Sequence, residues 1–240
     1  MLHVVCLKWG TKYPADYVNR LYRMVERNLT HSFTFHCVTE DSTGILDEVN
    51  ILDLPDLGLK GWWYKLYLFK QNFYGLEGQV LFLDLDVVIT GPLDSLVHYS
   101  ENKLCISEDE RPGDYNSSVM CFKLGSMSYV WESFWHQREK IIKTLHGDQD
   151  WIQQVCVDAI IYPKPLIVSF KYDCHSRAKF GGGKVGRWLR NKGWFKPTKQ
   201  SRVPPNTLIV LFHGKPDPED VMDSSYDKYR HSPWIKEYWR

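Results

Sequence analysis

Val80-Leu81-Phe82-Leu83-Asp84-Leu85-Asp86-Val87-Val88-Ile89 is an apolar run interrupted twice by carboxylates. Successive side chains of a strand face opposite ways, so this spacing predicts Asp84 and Asp86 on one face and Leu85 on the other. Two anions within so apolar a segment are costly unless protons, hydrogen-bond donors or a cation meet them. The strand is expected over Gln79–Ile89 and ends where Thr90-Gly91-Pro92 cannot continue a sheet easily. Ligands of α/β sheets gather in the crevice beyond the carboxyl ends of strands. A hard divalent cation with oxygen ligands would account for the pair there. The plainer alternative makes both aspartates caps of the following turn.

Outward from this run, Leu2–Leu7, Phe33–Thr39 and Asn50–Leu54 read as strands, and Tyr17, Leu21, Met24, Val25 and Leu29 recur at helical spacing over Ala15–Leu29. Trp62–Asn72 reads as an aromatic-rich helix. Lys103–Ser107 and Ser118–Leu124 are strands, and Tyr129–Leu145 and Asp150–Asp158 are helices. Ile167–Phe170 and Leu208–Phe212 complete the set. Strands alternating with helices predict a mostly parallel α/β sheet flanked by helices, and 240 residues fit one domain over 1–240.

A net charge of +1 gives no global field toward nucleic acid. The 10 Trp, 14 Tyr and 11 Phe exceed ordinary use, and rings of this kind build cores as well as stacking platforms for bases and sugars. No secretory leader or membrane span is read, so the six scattered cysteines are expected to be reduced core thiols in a cytoplasmic protein. One excursion, about 174–206, is strongly basic. From Cys174 to Lys215 ten Lys or Arg residues occur without an acid, around Gly181-Gly182-Gly183. It is either a solvated loop or a cover over a polyanion, a phosphorylated acceptor or an anionic membrane surface.

A further ligand candidate is His213 in Leu211-Phe212-His213-Gly214-Lys215-Pro216, directly after an apolar strand. With Asp84 and Asp86 it completes an O, O, N set suited to Mn²⁺ or Mg²⁺, and Lys215 could sit on phosphate oxygens.

Asp84-Leu85-Asp86 after its strand resembles the D-x-D motif of GT-A fold glycosyltransferases. Tyr115-Asn116-Ser117-Ser118-Val119-Met120-Cys121-Phe122 resembles the N-[ST]-G-V strand of glycosyltransferase family eight, with Ser118 in place of glycine. Gly147-Asp148-Gln149-Asp150-Trp151-Ile152 resembles its D-Q-D segment, and Phe212–Pro216 a shortened form of its H-x-x-G-x-x-K-P. The four occur in family order. The resemblance implies a Rossmann-like GT-A domain that binds a nucleotide-sugar, UDP by family habit, and acts as a hexosyltransferase on an unidentified glycan, lipid-linked or protein acceptor. It implies donor contacts from Trp9, Gly10, Thr11 and Tyr13, from Thr39 and Asp41, and from Lys65, Asp84, Asn116, Ser117 and Lys215. Trp9 or Tyr13 would stack on the base, and Gly10 would let the backbone approach the ligand. The metal ligands would be Asp84, Asp86 and His213. Trp62 and Trp63 read equally as a buried helix face or as sugar platforms.

Departure of a nucleoside diphosphate builds charge on phosphate, which a metal, Lys215 and Lys65 would offset. The transferred sugar becomes oxocarbenium-like, and Asp148, Gln149 and Asp150 are the catalytic candidates. Retention, which family eight implies, needs no strong base. Inversion would need one aspartate to take the acceptor's proton. Asp84-Leu85-Asp86-Val87-Val88 also resembles the haloacid dehalogenase motif of phosphohydrolases, which would leave the first strands and His213 without roles. A non-catalytic carbohydrate-binding domain would explain the aromatics and not the paired acids.

Overall fold

β1 (Leu2–Lys8) is buried along almost its whole length, which an uninterrupted apolar run permits in a strand covered on both faces. It pairs in parallel with β2 (Phe33–Thr39) on one side and with β4 (Gln79–Leu83) on the other. The computed structural model describes residues 1–99, 103–175 and 200–240. The basic excursion read over 174–206 therefore lies largely outside the described residues.

The main sheet has the order β3-β2-β1-β4-β7-β6-β8, with β3 at Asn50–Asp53, β6 at Cys105–Glu108, β7 at Tyr115–Lys123 and β8 at Ile160–Ile161. β7 runs antiparallel to both β4 and β6, and the other pairings are parallel. The sheet is mostly parallel, as expected. A second sheet joins β5 (Val87–Ile89), β10 (Ile209–Leu211) and β9 (Ile167–Ser169) in the order β5-β10-β9.

Alternation along the strands divides the interior into two layers. Val4, Cys6, Leu81 and Leu83 face one core, whereas Val5, Val80 and Phe82 face the other. Helix α1 (Ala15–Asn28) closes the first layer with Tyr17, Val18, Leu21, Met24 and Val25. Its apolar stripe recurs at three- and four-residue spacing, so one face is buried while the charged face stays wet. After the one-turn α2 (Asp94–Val97), the second layer is closed by α3 (Ser128–Thr144), α4 (Asp148–Val155) and, earlier in the chain, a 3₁₀ helix at Gly61–Phe69.

That 3₁₀ helix departs from the regular helix expected over Trp62–Asn72. Six of its nine residues are buried, and Trp63 stacks on Phe134 while Phe69 stacks on Phe122. A segment gripped on nearly every side takes its shape from packing more than from its own propensity. The two tryptophans part company: Trp63 is core, and Trp62 is 56% exposed.

All six cysteines are free and buried. Among the described residues no helix is long and apolar enough to cross a membrane.

Candidate active site

The apolar run Val80–Ile89 does not form the single strand expected over Gln79–Ile89. β4 ends at Leu83, β5 begins at Val87, and the two belong to different sheets. The Asp84 N–H still donates to the Ser118 carbonyl at 2.9 Å, one step beyond the β4–β7 ladder. Two residues later the Asp86 carbonyl accepts from the Phe212 N–H at 3.1 Å, on the side of the second sheet. Leu85 stays buried and anchors the turn between them. Strand alternation is therefore not what relates the two aspartates. A crossing from one sheet to the other does, because each sheet claims one end of the tripeptide.

The carboxylates feel each other. Burial first, and the Asp84 charge second, raise the Asp86 carboxyl to about 7, against the opposing pull of the Tyr13 hydroxyl, Lys12 and Lys65. Tyr13 donates to Asp86 Oδ2 at 2.7 Å. Asp84 Oδ2 instead meets the Lys65 ammonium at 2.7 Å, and the same nitrogen reaches Ser117 Oγ at 3.2 Å. Burial opposes charge on Lys65, but Asp84 and Asp148 outweigh it and hold the ammonium protonated. Asp148, the first residue of α4, is 3% exposed, and its Oδ2 has no hydrogen-bond partner. Burial raises its carboxyl, although Lys65 and the Ser117 hydroxyl lower it.

Asp84, Asp86, Lys65, Ser117 and Asp148 thus form one electrostatic group. Asn116 supports it from behind: its Oδ1 accepts the Ser118 N–H at 2.9 Å and holds the β7 backbone under Asp84. The other D-Q-D members point elsewhere. Gln149 Nε2 donates to Asp109 at 2.8 Å, and Asp150 Oδ2 accepts the His146 N–H at 2.9 Å. Gly147, just before this helix, passes so close to Trp62 that a Cβ would lie 3.2 Å from the indole nitrogen.

On the β1 side, Gly10 has a left-handed φ of +64°, and its N–H donates to Glu40 Oε1 at 2.6 Å. Trp9 and Thr11 beside it are exposed. Thr39 Oγ1 donates to the Asp41 carbonyl, which also accepts from the buried Lys8, so these two residues brace the loop after β2.

His213 bonds Ser169 Oγ at 2.8 Å and stacks on Tyr172, and burial together with Lys171 lowers its pKa. Among the described residues no three His, Cys, Asp or Glu side chains gather closely enough to hold a metal ion. Asp84 and Asp86 are two neighbouring carboxylates of the type a hard cation takes, one of them pushed toward neutrality by burial and by the other's charge. Lys215 pairs with Asp217 at 2.9 Å and Asp220 at 2.8 Å. Asp217 is a residue the sequence reading missed. It is 5% exposed and accepts from Tyr13 at 3.4 Å, linking Lys215 to the Asp86 hydroxyl partner. Its sequence signal is the helix-start pattern Asp217-Pro218-Glu219-Asp220, a capping box. Nothing in that pattern says that it faces Tyr13.

Solved structures with this architecture are numerous. The galactosyltransferase LgtC, in complex with donor and acceptor sugar analogs, superposes with a TM-score of 0.59 at 14% identity over 90% of this chain and 88% of its own. The fold is that of the GT-A glycosyltransferases. The glycosyltransferase GlyE of Streptococcus pneumoniae TIGR4 gives a TM-score of 0.66 at 14% identity, covering 100% of this chain and 60% of that one. The bifunctional WbbM gives 0.60 at 12% identity, covering 98% and 50%. The chain thus spans 60% and 50% of the lengths of the latter two. No protein-family model and no curated protein matches the sequence.

A pH test follows from the Asp86 carboxyl. Its folded pKa stands near 7 against 3.8 for the free side chain, so folding binds a proton between those values. The corresponding stability is present below about pH 4 and is lost as pH rises through about 7. In chelator, the melting temperature of Asp86→Asn minus that of wild type should grow from pH 4 to pH 7. A difference that stays flat across that window would show that the carboxyl is not held protonated.

Proposed function

We propose that this chain is a metal-dependent glycosyltransferase that moves a sugar from a nucleoside diphosphate, with UDP favoured, to a glycan acceptor. The observation that carries this reading is the convergence of Asp84, Lys65, Ser117 and Asp148 where β4 meets the second sheet. Its fold is shared with LgtC, a protein whose structure holds donor and acceptor sugar analogs.

Asp84 and Asp86 would hold Mn²⁺ or Mg²⁺, whose charge offsets that of the departing diphosphate; His213, the third ligand expected from the sequence, bonds Ser169 instead and joins no ligand cluster with them. Trp9, exposed beside the Gly10 turn, is the better platform for the base, since Tyr13 is engaged by Asp86. Asp41, in the loop after β2 that Thr39 braces, would meet the ribose. Lys65 shares its ammonium between Asp84 and the phosphate oxygens as negative charge accumulates there, and Lys215 supplies a second cation. Asp148 Oδ2, buried and unpartnered, would accept a hydroxyl of the transferred sugar, while Gln149, tied to Asp109, stays outside this group. Asp150 acts by tying down the start of α4. None of these groups needs to serve as a strong base, which accords with retention. Six free thiols accord with a cytoplasmic setting, and the basic segment 174–206 would face an anionic surface or acceptor.

A thermal-shift screen of nucleoside diphosphates and their sugars, with and without Mn²⁺, tests the proposal. At a ligand concentration 100 times Kd the stabilisation is about 2.7 kcal/mol, or roughly 5–10 °C for a chain of this size. The shift should appear with a UDP-sugar plus Mn²⁺ and vanish in chelator. Hydrolysis of a simple phosphoester with no nucleotide shift would favour the phosphohydrolase alternative. Sugar-induced shifts that persist in chelator would favour a carbohydrate-binding domain.

A further inference from the structure

At the other end of β4 from Asp84, a strand's length away, two imidazoles meet. His98 Nε2 and His31 Nε2 lie 2.9 Å apart, with the rings edge to face at 4.6 Å between centroids. The second nitrogen of His31, Nδ1, is 2.6 Å from Asp94 Oδ1. Asp94 also receives the Thr30 N–H at 3.0 Å and the Thr30 hydroxyl at 2.6 Å. Burial would raise its carboxyl, but these hydrogen bonds bring it down to about 2, so it is an anion at any working pH. Asp94 therefore fixes the His31 proton on Nδ1 and aims the Nε2 lone pair at His98. This is how a carboxylate commonly orients a metal-ligating histidine.

Both rings line a cavity of about 460 Å³, whose wall also carries Ser32, Gln79 and Lys123. A contrasting pair in the same molecule shows what a purely structural contact looks like. His3 Nδ1 and His36 Nε2 meet at 3.0 Å inside the protein, and the His3 Nε2 is taken up by the Glu77 carbonyl.

We propose that His31 and His98 form a transition-metal site, independent of the carboxylate pair, that takes Zn²⁺ or a similar borderline cation with Asp94 as its outer partner. Two nitrogens bound to zinc at about 2.0–2.1 Å in tetrahedral geometry stand roughly 3.3 Å apart. The rings need to separate by only a few tenths of an ångström once the His98 proton moves to its Nδ1. The remaining positions open on the cavity, to water or to an anion that Lys123 would balance. Two imidazoles without a thiolate or carboxylate ligand select Zn²⁺, Ni²⁺ or Cu²⁺ over Mg²⁺.

The test is a calorimetric titration of the full chain with Zn²⁺ in excess Mg²⁺, which occupies the carboxylate pair and competes poorly for imidazole. One Zn²⁺ per chain is expected. His98→Ala and His31→Ala should each abolish that event, and Asp94→Asn should weaken it about 10- to 100-fold. Melting in chelator checks that each variant is folded, and a zinc-induced rise in melting temperature lost in His98→Ala gives a second readout. Absence of Zn²⁺ binding by folded wild type, or binding of equal strength in both histidine variants, would overturn the site.

Discussion

Asp86→Ala should lower metal-dependent hydrolysis of the nucleotide-sugar donor by about 10³-fold, the scale of removing one preorganised charge-stabilising element from an active site. The same variant should melt no lower than wild type at neutral pH. These two expectations follow from one fact. Asp86 is a carboxyl that burial and Asp84 push up to about 7, so in the metal-free fold it is a cost rather than a support. Tyr13, its hydrogen-bond donor, keeps Lys12 at 2.5 Å and Asp217 at 3.4 Å when the carboxylate is gone. The pairing of lost activity with unharmed stability separates a functional acid from a structural one. Full donor hydrolysis by the folded variant would reject Asp86 as a metal ligand, and collapse of the fold would show that the aspartate serves the turn instead.

Lys65→Met, unlike Asp86→Ala, should cost stability, about 3–5 kcal/mol at pH 8, the scale of removing one partner from a buried ion pair. The ammonium bridges Asp84 Oδ2 and Ser117 Oγ, and its charge is the nearest compensation for Asp148. Methionine retains the packing of the stem beside Phe82, 5.5 Å below the ammonium, so the change isolates charge from volume. Without the cation, Asp84 and Asp148 face each other across a buried gap. Protonation of Asp148, whose carboxyl already stands above its ordinary value, would relieve this. The penalty should therefore shrink as pH falls, and differential denaturant unfolding of the two proteins at pH 8 and pH 5 measures it. Equal stability of variant and wild type at pH 8 would show that the three charges are solvated independently.

The elements most legible in the sequence are those whose burial follows a single period. Ala15–Asn28 was readable because a helix pressed on one sheet repeats its apolar residues at 3.6, and Leu2–Lys8 because a strand covered on both faces is apolar throughout. The 3₁₀ segment was not readable as such, because burial of six of its nine residues, with rings stacked on Phe134 and Phe122, leaves no period to find. The same limit applied to the site. Asp84 and Asp86 were legible as acids placed where apolar neighbours make them expensive, whereas Asp148 was legible only through the resemblance of its segment to D-Q-D.

What the chain's own order of residues determined is which chemistry is present: paired carboxylates after an apolar strand, an early lysine and a later Asp-Gln-Asp, arranged in a sheet-and-helix alternation. What only the tertiary structure decided is which of them meet. It divided one apparent strand between two sheets, joined Lys65 to Asp84 across 19 residues and Tyr13 to Asp217 across 204, and turned Asp150 away from Asp148. The physical reason is that hydrophobic periodicity reports a residue's exposure to solvent, whereas hydrogen bonds and charge pairs depend on distances that only packing sets.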